Sequence, residues 1–243
     1  MVGYLPIGFP DLETSIEAAV TLAENGMDII ELGPPYSDPV MDGPVIQEAT
    51  NLALARGFRV RDVFTAVQQI TERTNAAVVV MAYWNLIYQY GPERFAKDLL
   101  AAGGAGVVTP DITPDSAPEW LEAAQDLERI FLAAPASSDE RLELIANSSS
   151  GFIYAVSTNG ITGEREDLDK AASALVKRLK AHTDKRVCVG IGISNREHVH
   201  AVAQYADGAI VGSALVRALR DGGLEALAEV TRDLVAGTKR ETT

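Results

Sequence analysis

Eight short apolar runs recur along the chain at a nearly regular interval, and this recurrence limits the fold more than any other feature. Successive runs lie about 30 residues apart, which is the size of one strand–helix unit. They are Tyr4–Ile7, Met27–Leu32, Ala77–Met81, Gly106–Thr109, Ile130–Leu132, Phe152–Ala155, Val187–Val189 and Ala209–Val211. The segments between them have helical periodicity, as at Val63, Ala66, Val67 and Ile70. Buried parallel strands that alternate with amphipathic helices are therefore predicted.

The same pattern predicts one α/β domain. Eight similar units favour a single (β/α)8 TIM barrel over an open doubly wound sheet, which is the alternative. Any one run could equally be a fragment of a buried helix, so the prediction depends on the recurrence. We place the barrel at residues 1–237, with its last helix at Leu224–Ala236, and a polar tail at residues 238–243.

Several residues mark where the helices begin and end. Gly26, Gly57 and Gly103 follow helical segments and are expected to take the left-handed conformation that ends a helix. The spacing in Ser137–Glu140 and in Ser194–Glu197 predicts capping boxes at two helix starts. These signals fall between the apolar runs, as the barrel prediction requires.

Charge and composition exclude several classes of protein. The chain has 21 Lys and Arg against 34 Asp and Glu, a net charge of −13, which disfavours nucleic acid as a partner. Cys188 is the only cysteine, so an internal disulfide is excluded and a reducing compartment is indicated. No apolar run approaches the roughly 20 residues of a membrane span. A cytoplasmic protein without a membrane partner is therefore predicted.

Glu31 is the first candidate for catalysis. It lies in the second apolar run between Ile30 and Leu32, near the carboxyl end of a strand, where barrels of this kind form their active sites. Desolvation there is expected to raise the pKa of its carboxyl group, which suits a residue that takes and gives a proton near neutral pH. The alternative is a core glutamate paired with Lys or Arg.

The loop after this run, from Gly33 to Pro44, supplies a second carboxylate. Its length and its four prolines are unusual for a connection from strand to helix. Asp42, beside Gly43, is expected to reach back over the barrel mouth towards Glu31 as a solvated carboxylate. For Asp38, ordinary turn chemistry is the favoured interpretation.

Glycine-rich loops follow the last three runs and predict a phosphate site. They are Ser157–Gly163, Gly190–Ser194 and Gly212–Ala214. Backbone N–H groups of such loops, together with a helix N-terminus, bind phosphate without Lys or Arg, so an acidic protein can still hold a phosphate ester. The sequence has no cluster of ligands for a transition metal and no lysine at a strand's carboxyl end, which disfavours Schiff-base chemistry.

The segments Glu31–Pro39 and Asp42–Gln47 closely resemble the signature of the tryptophan synthase alpha subunit family. The resemblance extends over nearly the whole chain and includes Tyr154–Gly163. It implies a lyase of tryptophan biosynthesis that cleaves indole-3-glycerol phosphate to indole and glyceraldehyde 3-phosphate. It also implies an α2β2 heterotetramer, in which pyridoxal phosphate belongs to the beta subunit and the alpha subunit needs no cofactor.

The resemblance also implies a role for individual residues. Glu31 matches the acid/base that moves a proton between the glycerol hydroxyl and indole C3, and Asp42 matches the carboxylate that accepts a hydrogen bond from the indole N–H. Tyr154 resembles the tyrosine beside that acid/base. Contacts with the substrate and its phosphate are implied for Tyr4, Thr162, Gly163, Gly190, Gly192, Gly212 and Ser213. A surface that faces the beta subunit is implied for Pro35, Asp38, Asn85 and Asp111.

The chain departs from the family pattern at three places. A helix usually precedes the first strand, whereas Tyr4 lies almost at Met1, so a barrel lacking most of the N-terminal helix is expected, with a start upstream of Met1 as the alternative. Thr158 stands where Arg is common, and Phe9 replaces a common acidic residue. These departures leave as alternatives a weakly active or regulatory subunit that mainly activates a beta subunit, or a stand-alone lyase that produces indole. Another phosphate-sugar barrel, an isomerase or epimerase, is a third alternative.

Overall fold

A computed structural model of the chain describes residues 1–156, 165–190 and 192–238, without the side chains of residues 165–169. Parallel strands form a closed barrel in which each strand pairs with its neighbours in the chain and the last pairs with the first. The strands are β1 (Val2–Pro6), β2 (Ile29–Gly33), β3 (Ala77–Met81), β4 (Gly106–Thr109), β5 (Glu128–Ala133), β6 (Ile153–Val156), β7 (Val187–Gly190) and β8 (Gly208–Val211). The (β/α)8 barrel is confirmed, and the open sheet is wrong.

Helices connect the strands. Within the described residues they are α1 (Leu12–Glu24), α2 (Pro44–Ala55), α3 (Arg61–Thr71), α4 (Trp84–Tyr90), α5 (Pro92–Ala101), α6 (Pro118–Ala123), α7 (Asp139–Ser148), α8 (Arg165–Lys180), α9 (Arg196–Ala203) and α10 (Ser213–Ala236). The expected last helix, Leu224–Ala236, is only the second part of α10, which begins directly after β8 and kinks at Gly223 with φ of 66°. None of the described helices is both long enough and apolar enough to cross a membrane.

The glycine signals for helix ends are confirmed. Gly26, Gly57 and Gly103 have φ of 102°, 90° and 86°, a region that side chains with a Cβ rarely enter. At the other end of α1, the Asp11 side chain accepts a hydrogen bond from the Thr14 N–H at 2.8 Å. This helix therefore has a capped start and a glycine stop.

The two predicted capping boxes are wrong, because each helix is capped by the residue after the predicted serine. Helix α7 is capped by Ser138 and α9 by Asn195, and each side chain accepts a backbone N–H three residues further on. Ser137 and Ser194 were the expected caps. Ser137 instead accepts a hydrogen bond from the Ala134 N–H and closes the turn that leads into α7.

The hydrophobic core has two layers. One lies between the strands and the helices, and the other fills the barrel with Val2, Val79, Val108, Ile130, Phe152, Cys188 and Ile210. Cys188 is only 5% exposed, and burial raises the pKa of its thiol to about 12. A Cβ added to Gly208 would lie 2.7 Å from the Cys188 sulfur, so a larger residue cannot enter there without displacing the thiol.

The outer layer is sensitive at Phe95, on α5. Its ring is fully buried and meets the rings of Phe64, Tyr90 and Trp120 at centroid distances of 5.5, 6.1 and 6.5 Å. We expect Phe95→Ala to lower the free energy of unfolding by about 3–5 kcal/mol, because the substitution removes these ring contacts and leaves a cavity. Urea unfolding measures this change. Leu100→Ala on the same helix, where the side chain is 46% exposed, is the control; equal losses would contradict the prediction.

Candidate active site

The carboxyl group of Glu31 lies inside the barrel, away from solvent. Ile29 packs against the interior cluster, and side chains alternate along a strand, so Glu31 faces the same interior. It is fully buried, and neither carboxyl oxygen accepts a hydrogen bond from any described residue. Burial raises its pKa to about 8, and the nearby charge of Asp42 adds to the rise. The expectation of a raised pKa is confirmed, so this carboxyl group holds a proton at neutral pH.

Asp42 lies in the loop between β2 and α2 and contributes the second carboxylate. Its effect on the pKa of Glu31 confirms that the loop reaches back towards β2. The expectation that it is solvated is wrong, because Asp42 is partly buried and burial raises its pKa. A hydrogen bond from the Tyr83 hydroxyl, 3.2 Å from Asp42 Oδ1, acts in the opposite direction and favours the charged form.

Tyr83 is a residue of the site that the sequence interpretation missed. It lies between β3 and α4 and is 3% exposed. Its hydroxyl accepts the Met41 N–H at 3.0 Å and donates to Asp42, while its ring lies 5.2 Å from that of Tyr36. Burial, followed by the charge of Asp42, raises its pKa, so it remains a donor. Its position two residues after a strand end was the available signal.

Tyr4 and Tyr154 stand on either side of Glu31 and require glycines on neighbouring strands. Burial raises the pKa of both hydroxyls, and the charge of Glu31 contributes in each case. A Cβ on Gly33 would lie 2.1 Å from the Tyr4 hydroxyl, and one on Gly190 would lie 2.3 Å from the Tyr154 hydroxyl. The structure therefore shows Gly190 making room for a tyrosine, whereas the resemblance implied a contact with the substrate.

The carboxyl ends of β7 and β8 present backbone suited to an anion. Gly192 has φ of 75° and is exposed, and open space surrounds the position of an added Cβ. Helix α10 begins at Ser213, directly after Gly212, so its first turn directs N–H groups without helical acceptors towards the mouth. Gly212 also lies against Tyr4, whose ring is 3.2 Å from the position of an added Cβ. The expected contacts Thr162 and Gly163 lie outside the described residues.

Side chains for metal or Schiff-base chemistry do not converge in the part of the chain that the structure describes. No group of three His, Cys, Asp or Glu side chains there could hold a metal ion. The Nζ of Lys185, which precedes β7, donates to the carbonyl oxygens of Ala146 and Ser149, at the barrel's other end. The described site instead consists of two carboxyl groups, three tyrosines and backbone N–H groups.

The family follows from a comparison with known proteins. A family model described as tryptophan synthase alpha chain matches residues 1–242. The chain belongs to this family. The alpha chain of Leifsonia xyli subsp. xyli is 57% identical over 242 residues, which cover 99% of this chain and 93% of the relative. That of Mycobacterium avium is 51% identical over 242 residues, which cover 99% and 89%.

Solved structures of tryptophan synthase have the same fold. A chain from Mycobacterium tuberculosis superposes with a TM-score of 0.92 at 51% identity, covering 98% of this chain and 91% of its own length. A chain of the tryptophan synthase complex from Pyrococcus furiosus has a TM-score of 0.87 at 35% identity, with 97% of each chain covered. The barrel thus persists in the family across much lower sequence identity.

Three of the four residues that the alpha-chain resemblance places against a partner are exposed. Asp38 accepts a hydrogen bond from the Ser37 hydroxyl at 2.6 Å, as turn chemistry predicts. Asn85 on α4 and Asp111 after β4 are also exposed. Pro35 differs, because it is buried in the chain on its own. The partner contact of Pro35 stays a prediction.

The raised pKa of Glu31 makes stability depend on pH. The folded chain keeps this proton up to about pH 8, whereas the ordinary pKa of 4.5 applies after unfolding. Unfolding therefore releases a proton between about pH 5 and pH 8, and wild-type stability falls as pH rises through this window. Relative to wild type, Glu31→Gln is expected to gain about 1.4 kcal/mol of unfolding free energy per pH unit there.

Urea unfolding at a series of pH values measures this gain. Glu17→Gln is the matched control with the opposite sign, because a hydrogen bond from Arg73 lowers the pKa of Glu17. That variant should lose stability relative to wild type above the ordinary pKa, and the loss should shrink on acidification. A constant difference between Glu31→Gln and wild type from pH 5 to pH 8 would contradict the assigned pKa.

Proposed function

We propose that this chain is a carbon–carbon lyase that cleaves indole-3-glycerol phosphate to indole and glyceraldehyde 3-phosphate. The observation that carries the proposal is the buried carboxyl group of Glu31, with both oxygens unbonded among the described residues and a pKa of about 8. A group that holds its proton at neutral pH and titrates slightly above it is suited to general acid–base catalysis. Membership of the chain in the tryptophan synthase alpha family supports the choice of substrate and the place in tryptophan biosynthesis.

The reaction is a retro-aldol cleavage. Glu31 gives its proton to C3 of the indole ring, and the ring nitrogen becomes positive. Asp42, whose charged form the hydrogen bond from Tyr83 favours, accepts a hydrogen bond from the indole N–H and stabilises that charge. The Glu31 carboxylate then takes the proton of the glycerol hydroxyl, the aldehyde forms, and the bond between C3 and the glycerol chain breaks. Indole leaves with its C3 proton, and Glu31 is protonated again.

Backbone dipoles hold the phosphate in this proposal. Gly192, Gly212 and Ser213 lie at the carboxyl ends of β7 and β8, and α10 begins there. Their N–H groups bind the anion in a protein whose net charge is −13. Tyr4 packs against Gly212 and pairs in register with Glu31, so one ring joins the phosphate end of the site to the acid/base. Tyr154, on β6, packs against the same barrel interior.

The partner is a tryptophan synthase beta subunit in an α2β2 assembly. Support comes from the solved tryptophan synthase complex to which this chain is similar. Asp38, Asn85 and Asp111 follow the carboxyl ends of β2, β3 and β4, so they surround the mouth from which indole leaves. We propose that this chain works in the cytoplasm without a cofactor of its own, while pyridoxal phosphate belongs to the beta subunit.

Indole release from indole-3-glycerol phosphate tests the reaction. Glu31→Gln is expected to lower kcat by about 10²–10⁴-fold, because it can neither give nor take the proton. Asp42→Asn is expected to lower it by about 10²-fold, because its amide lacks the charge that stabilises the indole nitrogen. Glu128→Gln, at the exposed amino end of β5, is the control and should match wild type. Wild-type turnover by Glu31→Gln would refute the assigned role.

Size-exclusion chromatography with a beta subunit tests the partner. Asp38→Lys reverses the charge of an exposed side chain at the mouth and should weaken co-elution at least about tenfold. Glu128→Lys makes the same charge change at the other end of the barrel and should leave co-elution intact. If both variants co-elute like wild type, the partner does not bind at this face.

A further inference from the structure

Two carboxylates at the barrel mouth bond to consecutive residues of the segment between β3 and α4. Asp42 accepts the Tyr83 hydroxyl at 3.2 Å. Asp111, which follows β4, accepts the Trp84 N–H through both oxygens, at 2.9 and 3.1 Å. Tyr83 therefore contacts the loop between β2 and α2, here called the catalytic loop, and the adjacent Trp84 contacts the loop after β4.

The segment is held tightly enough to transmit a displacement. The Ala82 N–H donates to the Val108 carbonyl at 3.0 Å, so the chain leaves β3 attached to β4 before it reaches Tyr83. The Trp84 ring packs at 6.2 Å from the fully buried ring of Trp120. Packed aromatic groups of this kind shift together and do not deform independently. By holding the Trp84 N–H, the carboxylate of Asp111 thus limits where the preceding residue, Tyr83, can place its hydroxyl.

We propose that Asp111 is a positioning residue for Asp42 and acts on it through the Trp84 backbone and the Tyr83 hydroxyl. The proposal rests on the proposed function only for the role of Asp42 in turnover. Tyr83 holds the catalytic loop at two points, Met41 and Asp42, so a shift of its hydroxyl changes the direction of the carboxylate. Asp111 itself is exposed at the mouth, where it can affect the reaction without touching the substrate.

Kinetics of a double-mutant cycle test this route. Tyr83→Phe and Asp111→Ala are each expected to lower kcat about tenfold with little change in KM, because each removes one bond of the same connection. The double variant should be no slower than the slower single variant, since the route is already cut. Asp111→Asn keeps an oxygen for the Trp84 N–H and should restore near wild-type kcat.

The control is Tyr90→Phe, at the far end of α4. This variant removes the hydrogen bond of 2.6 Å from the Tyr90 hydroxyl to Asp98. Because Tyr90 lies outside the site, kcat should stay within about twofold of wild type. Two results would overturn the proposal. One is a double variant whose loss equals the product of the single losses, and the other is an unchanged kcat in Asp111→Ala, which would show a structural role only.

A measurement without turnover separates this proposal from the proposed function. The chain has two tryptophans, so labelling with 5-fluorotryptophan gives two ¹⁹F resonances, which Trp84→Phe assigns. Asp42→Ala should shift the Trp84 resonance in the wild-type background and leave it unshifted in the Tyr83→Phe background. A missing shift in the first case, or an equal shift in both, refutes the connection. If the wild type forms no indole, the reaction is refuted while this test still decides the coupling.

Discussion

A buried carboxyl group that accepts no hydrogen bond from any described residue is the constraint on which the site depends. A buried charge without partners is costly, so Glu31 stays protonated up to a pKa of about 8. The ladder of eight strands closes on itself, and two hydrophobic layers pack on either side of it. These layers provide the stability that offsets the cost of burying this carboxyl group. The reactivity of the carboxyl group and its energetic cost have the same cause, which is the removal of water.

The surroundings of this carboxyl group are arranged by strand register. Tyr4 on β1 lies opposite Glu31 on β2, and Tyr154 on β6 reaches the next strand at Gly190. Each hydroxyl occupies the space that a side chain on the neighbouring strand would fill, so that strand has a glycine at this position. The other end of the site uses no charged side chain among the residues described, only the start of α10 and neighbouring glycines. The buried carboxyl group and the backbone N–H groups proposed to hold an anion thus lie on different parts of the barrel mouth.

Local patterns predicted the strands well, because buried parallel strands have a distinctive composition; Ala77–Met81 and Gly106–Thr109 coincide with β3 and β4. The helix cap of α7 was predicted one residue too early, because Ser137 and Ser138 can both cap. The turn before the helix, which Ser137 closes, decides between them. The partly buried state of Asp42 could not be predicted, because it depends on Tyr83, more than 40 residues further along the chain. Contacts between residues so far apart in the sequence form only when the strands assemble into the barrel, and local sequence patterns do not show them.

The single thiol of this barrel has a consequence of another kind. Cys188 lies among the interior side chains, and no alkylating reagent can reach it while the strands remain paired. Burial raises the pKa of this thiol to about 12, so while the barrel is closed the group is protonated as well as covered. Opening of the barrel removes the burial and restores the ordinary reactivity of the thiol. Modification at neutral pH therefore reports the opening of the barrel itself. The rate of Cys188 alkylation measures how often the barrel opens, and no label has to be introduced.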